Sequence, residues 1–272
     1  MTKTEFYRIK ETLYHEVLPN GLNIFMLPKT GFHKTYVTFS TSLGSITTKI
    51  AKKDGTIIDL PEGIAHFLEH KLFEQSDGDI SMLFSENQAS VNAFTQNNRT
   101  TYLFSCTDKL KENIKLLLEF VQNPVFTEKG IEKEKGIITQ EIKMYEDDPN
   151  TVSYMGILNN MFQTHPVKID ILGTVDSISN INKEILEITH QTFYSPKQMV
   201  LFVTGNFEVD EIVSFVTKLQ ENVVFPEEYQ LVSEDYHEIS AVQESYKEIK
   251  MEITVPNLLI GIKQNGTDYL QE

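Results

Sequence analysis

Residues 62–74 read EGIAHFLEHKLFE and place two histidines four positions apart, with a glutamate directly before the second. Apolar residues surround these polar ones, which is typical of a half-buried helix. Because offsets of three and four residues return to nearly the same direction on a helix, His66, Glu69 and His70 share one face. The stretch therefore predicts a helix that brings two imidazoles to one point.

These residue types suit metal-assisted hydrolysis. Two neutral imidazoles at this spacing fit zinc, and a third protein ligand with an open fourth position would complete a catalytic site. Glu69 is offset around the helix from both histidines, where a carboxylate serves as general base for a water that the metal activates. The ordinary alternative is a pair of satisfied boundary histidines beside a surface glutamate. With seven histidines in the chain, H-x-x-E-H arises by chance on the order of 0.02 times, which favours the metal site.

Strand-like and helix-like segments surround this helix. Alternating patterns and turn residues predict strands at residues 12–18, 20–28, 34–45, 90–95, 99–106 and 198–205. Helical periodicity predicts further helices near residues 79–88, 109–122, 128–146, 182–194 and 209–221. Strands in a block, followed by helices, indicate an α+β fold in which an antiparallel β-sheet has helices packed on one face.

The composition excludes some classes of partner. The chain has 272 residues, of which 40% are hydrophobic, so it can bury a sizeable core. A net charge of −15 argues against nucleic acid as the main partner and favours cationic ones. The charged N-terminal segment and the lack of an apolar run of about 20 residues predict neither a signal peptide nor a membrane span. Together with the single cysteine, Cys106, these features predict a cytoplasmic protein.

Three stretches carry a resemblance to a known family. EGIAHFLEH, followed by SVNAFT and then by EKEKGIITQEI, resembles the insulinase/pitrilysin family of zinc peptidases, the inverzincins, and is nearest to its bacterial members. The resemblance continues through HPVKIDILGTVDSI and TFYSPKQMVLFVTGNF and covers roughly residues 12–222. It implies a metallopeptidase half-clamshell, with the fold of mitochondrial processing peptidase and Zn²⁺ as the cofactor.

The resemblance also implies the remaining site residues. Glu141 matches the family's third zinc ligand, and Glu134 matches the acidic residue that orients a ligand histidine. Seven residues make almost two helical turns, so both carboxylates lie along one stripe of a helix. The residues alone do not single out Glu141, because Glu128, Glu132, Glu146 and Asp147 decorate the same predicted helix.

The resemblance further implies a substrate-binding strand and leaves one competing enzyme class. In the family, the strand that matches SVNAFT offers its backbone to an extended peptide, and Asn92 and Ala93 are the matching positions. The alternative is an ordinary strand whose Asn92 satisfies a turn. S-ribosylhomocysteine lyase joins H-x-x-E-H to a cysteine ligand, which would require Cys106 to face the metal. A core cysteine fits the sequence better.

The C-terminal fifth of the chain changes character. Residues 222–250 are rich in glutamate and tyrosine and show little periodicity, whereas NLLIGIK at 257–263 is typical of a strand. We therefore expect a zinc-binding catalytic domain at 1–222, then a linker and the first strand of a missing or truncated second domain at 223–272. The alternative is that this strand joins the edge of the first sheet.

The predicted function is zinc-dependent endopeptidase activity on extended peptides. Because the family's second half supplies further substrate-binding and oxyanion-stabilising groups, we expect a truncated chain or a subunit that a second-half domain or a homologous partner completes. Such a chain should hydrolyse peptides weakly by itself. The alternative is a non-catalytic or regulatory subunit that acts as a peptide-binding module.

Overall fold

The computed structural model describes residues 1–75, 78–232 and 236–263. Its strands are β1 (Thr2–Phe6), β2 (Glu11–Val17), β3 (Asn23–Pro28), β4 (Thr35–Thr41), β5 (Lys49–Lys52), β6 (Ile57–Asp59), β7 (Glu74–Gln75), β8 (Gly78–Asp79), β9 (Ala89–Thr95), β10 (Thr100–Cys106), β11 (Met199–Gly205) and β12 (Tyr229–Leu231). Its helices are α1 (Ile64–Phe73), α2 (Ser81–Glu86), α3 (Leu110–Gln122), α4 (Glu128–Glu146), α5 (Pro149–Met161), α6 (Val175–Ser179), α7 (Lys183–Phe193) and α8 (Val209–Gln220). Within these residues, every helix is too short or too polar to cross a lipid bilayer.

Seven strands form the main sheet, in the order β1-β2-β3-β11-β4-β10-β9. Neighbouring strands are antiparallel except for β3 and β11, which run parallel. In the described part of the chain, β9 pairs with β10 alone, so its other side is an open edge. The open edge lies beside α1, which packs against both β9 and β10.

Helices cover one face of this sheet. Alternate residues of β4 and β11 are buried, and α1, α3 and α8 lie against the sheet. The ring of Phe120 on α3 meets that of Tyr102 on β10 edge-on, with 5.8 Å between the ring centroids. Phe73, at the end of α1, packs against Phe120 at 5.6 Å. This aromatic cluster ties α1 to the sheet and to α3.

Local sequence features set where α1 and α4 begin. Gly63 precedes α1 with a φ of 84°, a left-handed conformation that glycine adopts without strain. A Cβ at Gly63 would overlap the carbonyl oxygen of Leu172, so this close approach also requires glycine. Thr127 caps α4, because its hydroxyl accepts a 3.1 Å hydrogen bond from the backbone N–H of Gly130.

The predicted α+β class, with helices on a multi-stranded sheet, is confirmed. The predicted helix at 128–146 matches α4 residue for residue. The sheet is not wholly antiparallel, because β11 enters between β3 and β4 and runs parallel to β3. The sequence did not predict β1, α5 or a small sheet with the order β12-β5-β6. The helix α5 has no fully buried residue, and its apolar residues give little directional signal.

The segment expected to be a linker is built in part into the first domain. Strand β12 pairs with β5, and Glu238 accepts hydrogen bonds from the backbone N–H groups of residues 163–165. Residues 257–263 are not paired as a strand with any described residue, and Leu258 is 83% exposed, so the alternative of an added edge strand on the first sheet has no support and the assignment to a second domain stays a prediction. Residues 264–272 of the expected segment lie outside the described residues, and the division at residue 222 stays a prediction.

Candidate metal centre and active site

The side chains of His66, His70 and Glu141 converge on one point. A carboxylate oxygen of Glu141, Oε2, lies 3.9 Å from Nε2 of His66 and 3.7 Å from Nε2 of His70. Both distances are too long for a hydrogen bond. They are close to the separation of about 3.4 Å between two ligands bound to zinc at tetrahedral angles. All three ligand atoms lie within 4.8 Å of one another, and among the described residues this is the one group that could hold a metal ion.

The antiparallel contact of α1 with α4 produces this convergence. His66 lies opposite Glu141, whereas His70, one turn later, lies opposite Glu134, seven residues earlier on α4. The two helices therefore run in opposite directions where they touch. Each helix presents one stripe of polar side chains to the other, as the four- and seven-residue spacings require.

Glu134 fixes the orientation of the His70 ring. Nδ1 of His70 lies 2.9 Å from Oε1 of Glu134, which is buried. Since the Glu134 carboxylate accepts this hydrogen bond, Nδ1 carries the proton and the lone pair of Nε2 faces Glu141. Burial lowers the pKa of His70, but the hydrogen bond and the charge of Glu134 outweigh it, so the net shift is upward.

Burial holds His66 in the neutral form. Its side chain is buried, and this burial lowers its pKa to about 3, with a smaller contribution from the charge of His70. Its Nδ1 has no hydrogen-bond partner in the described part of the chain. An uncharged imidazole is the form that binds a metal ion, so the donor set of two nitrogens and one carboxylate oxygen fits zinc.

Glu69 lies beside this cluster without joining it. Burial raises the pKa of its carboxyl group, and a hydrogen bond from Thr95 partly offsets the effect. The Thr95 hydroxyl donates this bond to Oε2 at 2.6 Å. Among the described residues no hydrogen bond reaches Oε1, so this oxygen is free to accept a proton.

The strand expected to bind substrate runs along the open sheet edge next to the site. Asn92 is exposed on β9, and its side-chain oxygen accepts a 2.9 Å hydrogen bond from the backbone N–H of Ala93. That hydrogen bond caps one backbone donor of the edge strand. Asn92 is not in a turn, because it pairs with Leu103 in the middle of β9.

Cys106 lies in the core, as expected. It is 2% exposed at the end of β10, and burial raises the pKa of its thiol to about 11. It does not belong to the group of metal-ligating side chains in the described chain. The lyase-like alternative, which needs a cysteine ligand, therefore has no support in this geometry.

Two contacts of the site were not foreseen from the sequence. Thr95 belongs to the SVNAFT stretch, yet nothing in its spacing pointed to Glu69. Lys71, which directly follows His70, forms an ion pair with Glu74. It is 1% exposed, although lysine side chains are almost never fully buried. No sequence pattern indicated either contact.

Sequence models of protein families match most of the chain. The model described as Insulinase (Peptidase family M16) matches residues 54–175, which include all the predicted site residues. The model described as Peptidase M16 inactive domain matches residues 180–271.

Relatives among known proteins carry related names. An uncharacterized zinc protease of Bacillus subtilis, YmfH, is 47% identical over 263 residues, which are 96% of this chain and 61% of the relative. An uncharacterized zinc protease of Mycobacterium leprae is 33% identical over 57% of this chain and 36% of its own length. This chain therefore spans about three fifths, or less, of these relatives.

Solved structures share the fold of this chain. A crystal structure described as an M16-like peptidase from Alicyclobacillus acidocaldarius superposes with a TM-score of 0.83 and 39% identity, covering 86% of this chain and 55% of that one. A protease from Helicobacter pylori, at 20% identity and a TM-score of 0.75, shares the fold over 84% of this chain and 54% of that one. Family models over both parts of the sequence and a relative nearly half identical lead to one conclusion: the chain belongs to the insulinase family of peptidases, M16.

Proposed function

We propose that the chain is the metal-binding half of a zinc endopeptidase that hydrolyses extended peptides. The observation that carries this proposal is the convergence of His66, His70 and Glu141 on one point, with Glu69 directly beside it. A zinc ion held by these three side chains would polarise a scissile carbonyl and make a water molecule more acidic. The names of the relatives as zinc proteases support the choice of metal.

The residues around the ligands have separate tasks in this proposal. Glu134 keeps the His70 ring in one tautomer and orientation, so that Nε2 stays available. Glu69 takes the proton from the attacking water and passes it to the leaving amine. Its raised pKa suits the first of these steps, because a carboxylate whose acid has a higher pKa is a stronger base. Thr95 holds Oε2 of Glu69 and leaves Oε1 for the proton.

The open edge of β9 is the place where an extended peptide would bind. A peptide that adds to this edge as a further strand would pair with backbone groups, and the side chains would contribute little to its affinity. The peptide would take over the N–H of Ala93 that the Asn92 side chain now occupies. We expect loose sequence preference for this reason, with some preference for basic peptides because the net charge is −15.

The alternative function is that of a non-catalytic, peptide-binding subunit. Both functions would use the same fold and the same edge strand, so only proton transfer by Glu69 distinguishes them. Turnover requires Glu69 to act as a general base, whereas a peptide-binding module needs no base.

Metal analysis of the wild-type chain and of Glu69→Gln tests the proposal. We expect about one zinc ion per chain in both proteins, and a loss of turnover of at least 100-fold in the variant, because general base catalysis contributes about that much. Glu132→Gln is the matched control, since Glu132 is an exposed residue of α4 that pairs with Lys135. It should keep both zinc and turnover.

Three other results would change the proposed function. A wild-type chain without zinc would contradict the proposal. Zinc in both proteins, with equal turnover, would remove Glu69 from its role as base. Zinc and peptide binding in the wild type, without turnover even when the rest of the clamshell is supplied, would favour the binding subunit.

A further inference from the structure

The contact between α1 and α4 is layered. The layer nearest the predicted metal position holds His66 and Glu141, whose carboxylate also approaches Nε2 of His70, and the next layer pairs Nδ1 of His70 with Glu134. These two layers hold the predicted ligands. A third layer lies beyond His70, toward the C-terminal end of α1.

This third layer consists of Lys71, Glu74 and Gly130. The ammonium group of Lys71, 1% exposed, forms an ion pair with Oε2 of Glu74, the residue at the end of α1. A buried ammonium is stable only when it is paired in this way. In the described chain, Glu74 is the one carboxylate within salt-bridge distance of Lys71.

Gly130 of α4 lies directly against this ion pair. A Cβ built on Gly130 would stand 2.5 Å from Nζ of Lys71 and 3.2 Å from Oε2 of Glu74, both closer than van der Waals contact. Glycine therefore allows α4 to approach the ion pair with its backbone. Any larger residue would push the helix or the ammonium away.

The same face of α4 carries both site carboxylates. Glu134 and Glu141 follow Gly130 by four and eleven residues, which return to within about 40° of its direction on the helix. Gly130 lies about 16 Å along the axis from Glu141 and about 6 Å from Glu134. A shift of α4 at Gly130 would therefore move both carboxylates relative to the histidines.

We propose that Lys71, paired with Glu74 and seated on Gly130, is a positioning residue that sets the separation of α1 and α4. Through this separation it places Glu134 and Glu141 at the distances that metal binding needs. The inference rests on the proposed function for its consequence, the affinity for zinc. The contact itself is independent of any metal.

Three variants of the full chain test this proposal: Lys71→Met, Gly130→Ala and the double variant. Zn²⁺ affinity is measured by competition with a chromophoric chelator, and unfolding is followed on the metal-free proteins. We expect each single change to weaken Zn²⁺ binding about tenfold, the lower end of the effect of outer-shell changes. The double variant should bind more tightly than the product of the two losses predicts, because the alanine methyl occupies space that the ammonium has left.

A control separates positioning from general loss of stability. Ile138→Val removes one methyl group from a fully buried residue on the same helix, so it should lower the unfolding midpoint and leave zinc affinity unchanged. If Lys71→Met does not fold, Gly130→Ala decides, because alanine favours the helix itself.

Wild-type affinity in both single variants, or purely multiplicative losses in the double variant, would overturn the proposal. A wild-type chain that binds no zinc would contradict the proposed function instead. In that case the unfolding midpoints of the wild type, the two single variants and the double variant still measure whether Lys71 and Gly130 are coupled. Independent effects of the two changes on the midpoint would overturn the inference.

Discussion

Burial and one hydrogen bond distinguish the two histidines of the H-x-x-E-H motif. His66 stays neutral because it is buried, and its pKa falls to about 3. His70 is more exposed and takes its orientation from Glu134. Both arrangements leave an Nε2 directed at Glu141, by different physical means. The motif therefore needs its surroundings, as well as its spacing, to form a candidate metal site.

Replacement of Thr95 tests how closely Glu69 must be held. Thr95→Val keeps the shape of the side chain and removes the hydroxyl that donates to Oε2 at 2.6 Å. We expect turnover to fall by about tenfold, the kinetic equivalent of about 1.4 kcal/mol lost from a hydrogen bond to a charged group. Zinc content should not change, because in the described chain the Thr95 hydroxyl bonds to Glu69 and Thr100 and not to the three predicted ligands. Peptide hydrolysis and metal analysis of the same preparations give the answer.

The matched variants make this prediction specific. Thr95→Ser keeps a hydroxyl and should retain most of the turnover. Thr101→Val removes a hydroxyl from the neighbouring strand, where it bonds to Ser40, and should leave turnover unchanged. Equal rates for Thr95→Val and the wild type would show that Thr95 has no positioning role.

At the scale of elements, periodicity predicted the two helices that form the site. The helix α4 buries Ile131, Ile138 and Ile142 along one stripe, and its bounds were predicted without error. The choice of Glu141 among the six acidic residues at 128–147 came from the resemblance alone, because the spacing of these residues does not show which carboxylate faces another helix. The burial of Lys71 was not predictable for the same reason: it depends on Gly130, a residue distant in sequence.

The packing of α7 on the end of α3 makes stability depend on pH. His190 is 3% exposed, its Nε2–H donates to the carbonyl oxygen of Val121 at 2.8 Å, and its ring stacks on Tyr194 at 4.6 Å. Burial lowers the pKa of His190 to about 4, although the hydrogen bond to Val121 opposes the shift. In the unfolded chain its pKa returns to about 6.5.

The sign of the pH effect follows from these values. Below pH 6.5 the unfolded chain binds a proton that the folded chain does not, so the free energy of unfolding falls as the pH drops from 6.5 toward 4. The contribution reaches roughly 3 kcal/mol at pH 4 and vanishes above neutral pH. Denaturant unfolding of the metal-free protein at pH 7.5 and 5 should show a smaller pH dependence in His190→Gln than in the wild type. His33→Gln, at an exposed position, should keep the full dependence, and equal slopes in all three proteins would contradict the account.

At the scale of the whole molecule, the chain spans 61% of the relative YmfH and 55% of the Alicyclobacillus structure. The predicted metal cluster lies entirely within residues 54–175, the part that matches the insulinase model. We therefore propose that metal binding belongs to this chain, and that full turnover requires groups outside it. The sequence suggested the same division through the resemblance, although β12, which lies after the predicted boundary at residue 222, pairs with β5 of the first domain.

Addition of a second-half domain from a relative tests this division. We expect turnover to rise by about 100-fold or more, the usual effect of oxyanion stabilisation, without any change in zinc content. Peptide hydrolysis by the chain with and without the added domain measures the effect. Equal turnover in both preparations would indicate that the catalytic groups are complete in this chain, or that it is a binding subunit.

The central claim is that His66, His70 and Glu141 bind one zinc ion. The most direct test is anomalous diffraction at the zinc edge from crystals of the zinc-loaded chain. The account predicts a single ion with Nε2 of both histidines and an oxygen of Glu141 at about 2.0 to 2.2 Å. An ion bound elsewhere, a Glu141 carboxylate turned to solvent, or no ion at all would contradict it.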